Sequence, residues 1–199
     1  MKDGLVIFLN GTSSSGKTSI SKELLKISNH DFMHLSVDDF SEALAKCYGM
    51  MFPMFNEQTE EEQKISREIL TTPLVNLFHA TIRFFVLTGK KIIVDHVIED
   101  EYWLDECLNY MGDLNVIFVG VQCPLEELER RERARGNRHV GLAKFQYDKV
   151  HSHGDYDLVL NTFDLSPHDC AMEIWKYMSS NQTGYAFRSI QEKRKQQSN

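Results

Sequence analysis

Short runs of consecutive apolar residues alternate along the chain with segments in which apolar residues recur every three or four positions. The runs are typical of strands buried on both faces of a parallel sheet, and the periodic segments are typical of helices. Strands are predicted at residues 5–9, 32–37, 91–95, 115–121 and 157–160. Five strands that alternate with helices indicate a three-layer α/β fold, with a mainly parallel sheet between helices.

The helical segments fill the intervals between these strands. They are predicted to start at Lys17 and to run over residues 41–48, 70–85, 124–135, 142–150 and 169–178, with another helix between the third and fourth strands. Gly89 stands where a C-terminal cap of the long helix at 70–85 belongs. Residues 1–179 contain no repeat and no linker, so we expect a single domain, followed by a polar, frayed tail at 180–199.

Composition and charge narrow the class of protein. The 199 residues are 42% hydrophobic and 26% charged, and no apolar run approaches the roughly 20 residues that a bilayer span requires. A net charge of -7 argues against broad attraction to nucleic acid or to anionic membranes. The first residues lack a signal-peptide core and the four cysteines are scattered, so we expect a cytoplasmic protein with reduced thiols. The sequence is compatible with a homo-oligomer but contains no argument for one.

The segment between the first strand and the first helix matches the phosphate-binding consensus G-x-x-x-x-G-K-[ST] at every required position. It consists of Gly11, Thr12, Ser13, Ser14, Ser15, Gly16, Lys17 and Thr18. In such a loop, backbone N–H groups and the N-terminus of the helix surround phosphate oxygens. Lys17 is then expected to contact the β- and γ-phosphates of ATP, and the Thr18 hydroxyl to bind Mg²⁺. The loop alone does not distinguish a kinase from a GTPase or a motor ATPase.

Two strand-end acids extend the prediction from phosphate binding to phosphoryl transfer. Asp95 ends the third predicted strand, where an acid could orient water on magnesium, and Asp38 follows the second. The carboxyl ends of parallel strands border the ligand crevice of an open α/β sheet, so Asp38 could accept the proton of an attacking hydroxyl. Asp39 is the competing candidate. Either of the two could instead cap the next helix, and Asp95 could be a solvated strand-end residue.

Arginines are concentrated in a short segment after the fourth strand. Three of them stand four residues after a glutamate and are explained as ion-pair residues on a solvated helix: Arg130, Arg131 and Arg133. Arg135 and Arg138 lack such partners and flank a glycine. We predict that these two belong to a lid, at about 130–141, that closes over the triphosphate and neutralises transition-state charge.

The histidines have weaker claims to a function. None shows a ligand spacing such as H-E-x-x-H, so we predict no metal site beyond that for magnesium.

Taken together, these motifs resemble the chloramphenicol phosphotransferase-like family of P-loop kinases. The matches run in order along the chain: LNGTSSSGKT at 9–18, VD at 37–38, IIVD at 92–95, VGV with Cys123 at 119–123, RERARGNR at 131–138, VH at 150–151, YD at 156–157 and NT at 161–162. The resemblance implies a nucleoside-monophosphate-kinase-like fold with strand order 2-3-1-4-5, ATP and Mg²⁺ as cofactors, and phosphorylation of a small-molecule hydroxyl. It also implies that Asp38 is the base. Asn137 and Asn161 depart from the family pattern, which often has Asp there.

The sequence leaves the acceptor open. The stretch from about 40 to 88 matches the family poorly, and its apolar residues 50–55 belong either to an acceptor pocket or to plain core. One alternative is another small-molecule or nucleotide-sugar kinase of the toxin type. Another is a regulatory module that binds ATP and phosphorylates nothing. The absence of an N-K-x-D motif disfavours a GTPase.

Overall fold

The computed structural model describes residues 4–47, 72–135, 140–180 and 182–197. Its strands are β1 (Leu5–Asn10), β2 (Met33–Ser36), β3 (Lys91–His96), β4 (Val116–Gln122) and β5 (Leu158–Asn161). Its helices are α1 (Lys17–Ile27), α2 (Val37–Cys47), α3 (Thr72–Leu87), α4 (Glu101–Met111), α5 (Leu125–Arg135), α6 (Leu142–Val150), α7 (Pro167–Ser179) and α8 (Ala186–Gln197). The predicted apolar stretch at 50–55 and Arg138 lie outside the described residues.

The five strands form one parallel sheet in the order β2-β3-β1-β4-β5. This confirms the predicted α/β fold and its strand order. In the register of the sheet, Leu9 of β1 stands beside Asp95 of β3 and Val119 of β4. The carboxyl ends of the three central strands therefore lie side by side, which is where ligands bind in open α/β sheets.

Successive residues of the central strands point to opposite faces of the sheet, and each face has its own apolar layer. Val6 and Phe8 belong to one core cluster, with residues of α3, α4 and α8, whereas Ile7 and Leu9 belong to another, with residues of α1 and α7. All four side chains are fully buried. Because helices cover both faces, successive positions of β1 must be apolar, which explains the continuous run in the sequence.

The C-terminal segment differs from its prediction. Helix α8 follows α7, and Ala186, Phe187 and Ile190 are buried in the core cluster that also contains Phe8. The carboxylate of Asp157 accepts hydrogen bonds from the two backbone N–H groups at the start of α8. The prediction of a frayed tail at 180–199 is therefore wrong over this helix, because three apolar side chains at helical spacing anchor an otherwise polar segment.

Helix α2 begins earlier than predicted. It starts at Val37, since β2 already ends at Ser36, and Asp38 and Asp39 lie in its first turn. Negative charge is favourable there because it opposes the helix dipole. The Ser36 hydroxyl accepts a hydrogen bond from the backbone N–H of Asp39 at 3.4 Å. Ser36 thus has the capping role that had been considered for the aspartates.

Helix α3 ends at Leu87, and the predicted glycine follows two residues later as its C-terminal cap. Gly89 has a φ of +81°, and its N–H donates to the Val86 carbonyl at 2.9 Å. The N–H of Lys90 donates to the Phe85 carbonyl at 3.1 Å. These two bonds form a Schellman motif, which satisfies carbonyl groups at the end of the helix.

Two findings concern the thiols and membranes. Cys107, Cys123 and Cys170 are buried free thiols, as expected, and the side chain of Cys47 lies outside the described part of the chain. Within the described ranges, no helix combines the length and apolar character needed to cross a membrane.

Candidate active site

The phosphate-binding loop joins the end of β1 to the start of α1, and its shape requires its glycines. A Cβ atom on Gly11 would lie 2.5 Å from the Val121 carbonyl oxygen of β4 and 2.8 Å from the Ser15 hydroxyl. Gly16 has a φ of +99°, in the left-handed region that favours glycine. The two glycines therefore let the loop lie directly against β4 and turn sharply into α1.

The interior of the loop carries polar groups that fit a phosphate. The N-cap of α1 is Gly16, which has no side chain to compete for the N–H groups of the first turn. The hydroxyl oxygens of Ser13, Ser14 and Ser15 are buried and have no hydrogen-bond partner among the described residues. Buried polar atoms without partners are uncommon in native proteins and call for a ligand, water or ion. Phosphate oxygens would satisfy these hydroxyls.

Lys17 is almost buried, with 7% exposure, and its ammonium group points into the loop. Nζ donates to the carbonyl oxygens of Gly11 and Thr12, both at 2.8 Å, and lies 3.8 Å from Oδ1 of Asp95. These oxygens compensate the cost of burying the charge. The cation is thereby kept inside the loop, where it can contact phosphate oxygens.

Thr18 and Asp95, the predicted magnesium residues, are in direct contact. The Thr18 hydroxyl donates to Oδ2 of Asp95 at 2.7 Å. Asp95 is only 6% exposed, and its other carboxylate oxygen faces Lys17. A hydroxyl and a carboxylate are hard oxygen donors of the kind that Mg²⁺ prefers. The residues present therefore fit this ion.

A cleft of about 480 Å³ opens over the loop. Its lining combines candidates from separate segments of the chain: Lys17, Thr18, Asp38, Asp95 and Arg135. Asp39 is not among the lining residues of this cleft in the described structure, so the geometry favours Asp38 over its neighbour. Because residues 136–139, which include Arg138, lie outside the described ranges, the lid stays a prediction.

Arg131 also lines this cleft, although the sequence explained it as an ion-pair residue. The expected pair is present: Nε donates to Glu127 at 2.7 Å, and hydrogen bonds from Arg130 and Arg131 lower the pKa of Glu127 to about 2. The other guanidinium nitrogens donate to the hydroxyl and the carbonyl oxygen of Thr162, at 3.1 and 2.8 Å. Thr162 in turn donates to the carbonyl of Ser15 at 2.8 Å. Helix α5 is thus connected to the phosphate loop through the end of β5.

Two further side chains hold α6 near the loop, and the sequence predicted neither. Glu132 is fully buried in α5 and accepts hydrogen bonds, at 2.7 and 3.0 Å, from two backbone N–H groups at the start of α6. Gln146 of α6 accepts a hydrogen bond from the N–H of Ser13 at 2.7 Å and donates to Glu99 at 2.6 Å. A glutamate in an arginine-rich helix and a single glutamine match no motif, so their roles follow only from the folded arrangement.

Below the loop, Asn10 forms a buried polar network. Its Oδ1 accepts a hydrogen bond from the N–H of Ile98 at 2.9 Å, and its Nδ2 donates to the Val150 carbonyl at 2.9 Å and to the Tyr156 hydroxyl at 2.8 Å. Burial raises the pKa of Tyr156 above its usual value and lowers the pKa of His151, whose Nδ1 lies 2.7 Å from the same hydroxyl, to about 4. The network holds in place the residue that directly precedes the phosphate loop.

The chain is similar in sequence to phosphotransferases and kinases. Residues 4–179 match the family described as chloramphenicol phosphotransferase-like protein. A Mycobacterium tuberculosis protein named for a proposed O-phosphotransferase activity is 30% identical over 184 residues, which are 87% of this chain and 82% of that protein. The cytidylate kinase of Pyrococcus horikoshii is 24% identical over 169 residues, which are 83% of this chain and 84% of that kinase.

Solved structures of kinases share the fold. The APS kinase CysC of Mycobacterium tuberculosis, solved in complex with AMPPNP and APS, superposes with a TM-score of 0.65 at 16% identity and covers 90% of this chain and 99% of its own. At this identity the likeness concerns the fold alone. The family match is evidence of common membership and not of the fold alone, because it spans most of the chain and includes the phosphate loop and both strand-end acids. The chain therefore belongs to the chloramphenicol phosphotransferase-like family.

Proposed function

We propose that this phosphotransferase is an ATP-dependent kinase that moves the γ-phosphoryl group of ATP onto a hydroxyl of a small molecule, with Mg²⁺ as its metal. The observation that carries the proposal is the cleft in which Lys17, Thr18, Asp38, Asp95 and Arg135 meet. A phosphate loop alone would serve any nucleotide-binding protein, whereas Asp38 adds a carboxylate for the acceptor hydroxyl. We expect the enzyme to act in the cytoplasm, with neither nucleic acid nor membrane as a partner.

In this proposal, the loop side of the cleft binds the triphosphate. The loop N–H groups and Lys17 contact the β- and γ-phosphate oxygens and hold the phosphoryl group in line with its acceptor. Thr18 and Asp95 would hold Mg²⁺, and the ion would neutralise phosphate charge. Arg135, and Arg138 from the predicted lid, neutralise the charge that develops on the transferred group.

Asp38 orients the acceptor hydroxyl and accepts its proton. During transfer, the bond between the γ-phosphorus and the bridging oxygen breaks, a bond from phosphorus to the hydroxyl oxygen forms, and ADP leaves. The released proton goes to the Asp38 carboxylate. Phosphoryl transfer depends mainly on positioning and on charge neutralisation, so a weak base such as a carboxylate suffices.

The proposal names only the chemical class of the acceptor, which is a small molecule with a hydroxyl group. Chloramphenicol, the family's namesake, is one candidate. Nucleotide sugars, which belong to the alternative raised by the sequence, and nucleotides, which the similarity to a cytidylate kinase suggests, form a second group of candidates. Residues 50–55, which the sequence connected with an acceptor pocket, lie outside the described ranges and do not discriminate between the two groups.

A panel of hydroxyl compounds tests the proposal. The protein is incubated with ATP, Mg²⁺ and chloramphenicol, sugars, nucleotides or nucleotide sugars, and products are scored by mass for one added phosphoryl group and by the release of ADP. Lys17→Ala and Asp38→Asn are expected to lower transfer by about 100-fold or more, since positioned charges and proton acceptors contribute on this scale. Asp39→Asn is the matched control and should retain transfer.

Two outcomes would contradict the proposal. Full transfer by Asp38→Asn would refute the role of this carboxylate. ATP binding without acceptor-dependent release of ADP, across the whole panel, would favour a regulatory ATP-binding module.

A further inference from the structure

Three side chains that commonly bind transition metals converge in the buried interior of the protein. They are His79 on α3, His96 at the end of β3 and Cys107 on α4, and each is fully buried. Nε2 of His79 lies 3.0 Å from Nε2 of His96 and 3.3 Å from Sγ of Cys107. All three ligand atoms lie within 4.8 Å of one another. Three elements thus direct one nitrogen or sulfur atom each to a common point.

Hydrogen bonding alone does not account for this cluster. Nε2 of His79 carries either one proton or one lone pair, so it cannot make a full hydrogen bond to both His96 and Cys107. Buried polar groups that are not satisfied indicate a missing water, ion or function. An ion between the three atoms would use the lone pairs of all of them.

The surroundings of the cluster are apolar and aromatic. The His96 ring stacks on Phe8 at 5.5 Å between centroids and meets Trp103 edge-on at 5.9 Å, while the rings of His79 and His96 stack at 5.1 Å. Full burial favours the neutral form of the His79 imidazole, which keeps a lone pair for a ligand bond. Cys107 and Phe8 belong to the same core cluster. Because these neighbours are apolar, a large net charge at the cluster would be costly.

The donor set selects a soft ion. Imidazole and thiolate bind Cu(I) and Zn²⁺, whereas Mg²⁺ and Ca²⁺ require oxygen. With metal–nitrogen bonds of about 2.0–2.1 Å and a metal–sulfur bond of about 2.3 Å, tetrahedral angles place two nitrogens about 3.4 Å apart and nitrogen and sulfur about 3.6 Å apart. The observed separations of 3.0 and 3.3 Å are smaller by only a few tenths of an ångström. The third separation, between the ligand atoms of His96 and Cys107, is at most 4.8 Å, so side-chain shifts of up to about an ångström would bring the three atoms to the spacing of an ion.

The charge balance favours a monovalent ion. One thiolate and two neutral imidazoles carry a single negative charge, which Cu(I) neutralises and Zn²⁺ exceeds. We propose that His79, His96 and Cys107 form a buried site for one thiophilic d¹⁰ ion. The ion is Cu(I), because its single positive charge neutralises the charge of the three ligands. On binding, the S–H bond of Cys107 breaks, its proton leaves to the solvent, and a sulfur–metal bond forms. The proposal does not depend on the proposed kinase activity.

Titration with metal ions tests the proposal. Reduced protein is titrated anaerobically with Cu(I), and separately with Zn²⁺, against a chromophoric chelator. Wild-type protein is expected to bind one equivalent of Cu(I). Cys107→Ser and His79→Gln should bind it more than about 100-fold less tightly, because losing a ligand exceeds the 10–100-fold cost of losing an outer partner. Cys170→Ser removes a buried thiol from the opposite core cluster and should bind like wild type.

X-ray absorption of the wild-type complex keeps the test valid if a variant fails to fold. The spectrum should show one sulfur at about 2.3 Å and two imidazole nitrogens at about 2.0 Å. Absence of binding by the wild type, or equal binding by a folded Cys107→Ser, would overturn the site. Binding of Zn²⁺ but not Cu(I), with the same dependence on the variants, would overturn the assignment to a monovalent ion.

Discussion

Asn10 is expected to contribute strongly to stability, because its buried side chain supports backbone groups from two distant segments. Asn10→Ala removes the acceptor of the Ile98 N–H group. It also removes the Nδ2 donor to the Val150 carbonyl, which keeps a weaker hydrogen bond from the Tyr156 hydroxyl at 3.4 Å. The Ile98 N–H left unpaired costs about 1–3 kcal/mol and the lost hydrogen bond to the Val150 carbonyl about 0.5–1.5 kcal/mol, so the free energy of unfolding should fall by about 1.5–4.5 kcal/mol. This is a large share of the roughly 5–15 kcal/mol that stabilises a typical domain.

Urea denaturation followed by circular dichroism measures this loss, since the midpoint falls as the free energy of unfolding falls. The matched control is Asn76→Ala, which removes one hydrogen bond to Tyr102 at an exposed site and should cost less than about 1 kcal/mol. ATP affinity should also fall in Asn10→Ala, because Asn10 directly precedes the phosphate loop. A midpoint for Asn10→Ala that matches that of Asn76→Ala would refute the reasoning.

Three further outcomes are expected. Phe187→Ala should lower the free energy of unfolding by about 3–5 kcal/mol, because it empties a fully buried ring site; an unchanged urea midpoint would mean that α8 does not stabilise the core. Arg131→Lys should weaken ATP binding in calorimetry while keeping the charge, because lysine cannot replace both bonds to Thr162; equal affinity would contradict this. Burial holds the pKa of His151 at about 4, below the roughly 6.5 of an unfolded chain, so the unfolded state binds more protons between these values and stability falls as the pH drops through them. His151→Gln should lose less stability than wild type between pH 7 and pH 5, and an equal loss would contradict the assignment.

Most of the fold could be predicted from local patterns. A strand covered by helices on both faces must be apolar at successive positions, so the five strands were visible as short runs. The predicted ends of elements were less accurate. The start of α2 at Val37, for example, depends on where β2 leaves the sheet, which no local pattern shows. Helix α8 was missed because Ala186, Phe187 and Ile190 are diluted by polar neighbours, although their helical spacing was a usable signal.

The predicted parts of the site are those whose chemistry is contiguous in the sequence. The phosphate loop needs its glycines, Lys17 and Thr18 at fixed spacing, so a motif identifies it. By contrast, Gln146 contacts a loop residue 133 positions away, and Arg131 contacts Thr162 across 31 positions. No local pattern encodes such pairs, because the two residues of each pair meet only when their separate elements pack around the sheet.

The sequence by itself determined the α/β class, the phosphate loop and the presence of acids at the ends of two strands, because each follows from residues adjacent in the chain. Only the tertiary structure decided that Asp38, rather than Asp39, lines the cleft, since the start of α2 sets the direction of each side chain. It also brought His79, His96 and Cys107 together from three separate elements. The spacing of these three residues matches no metal-binding motif, and their proximity exists only because α3 and α4 pack against the same face of the sheet.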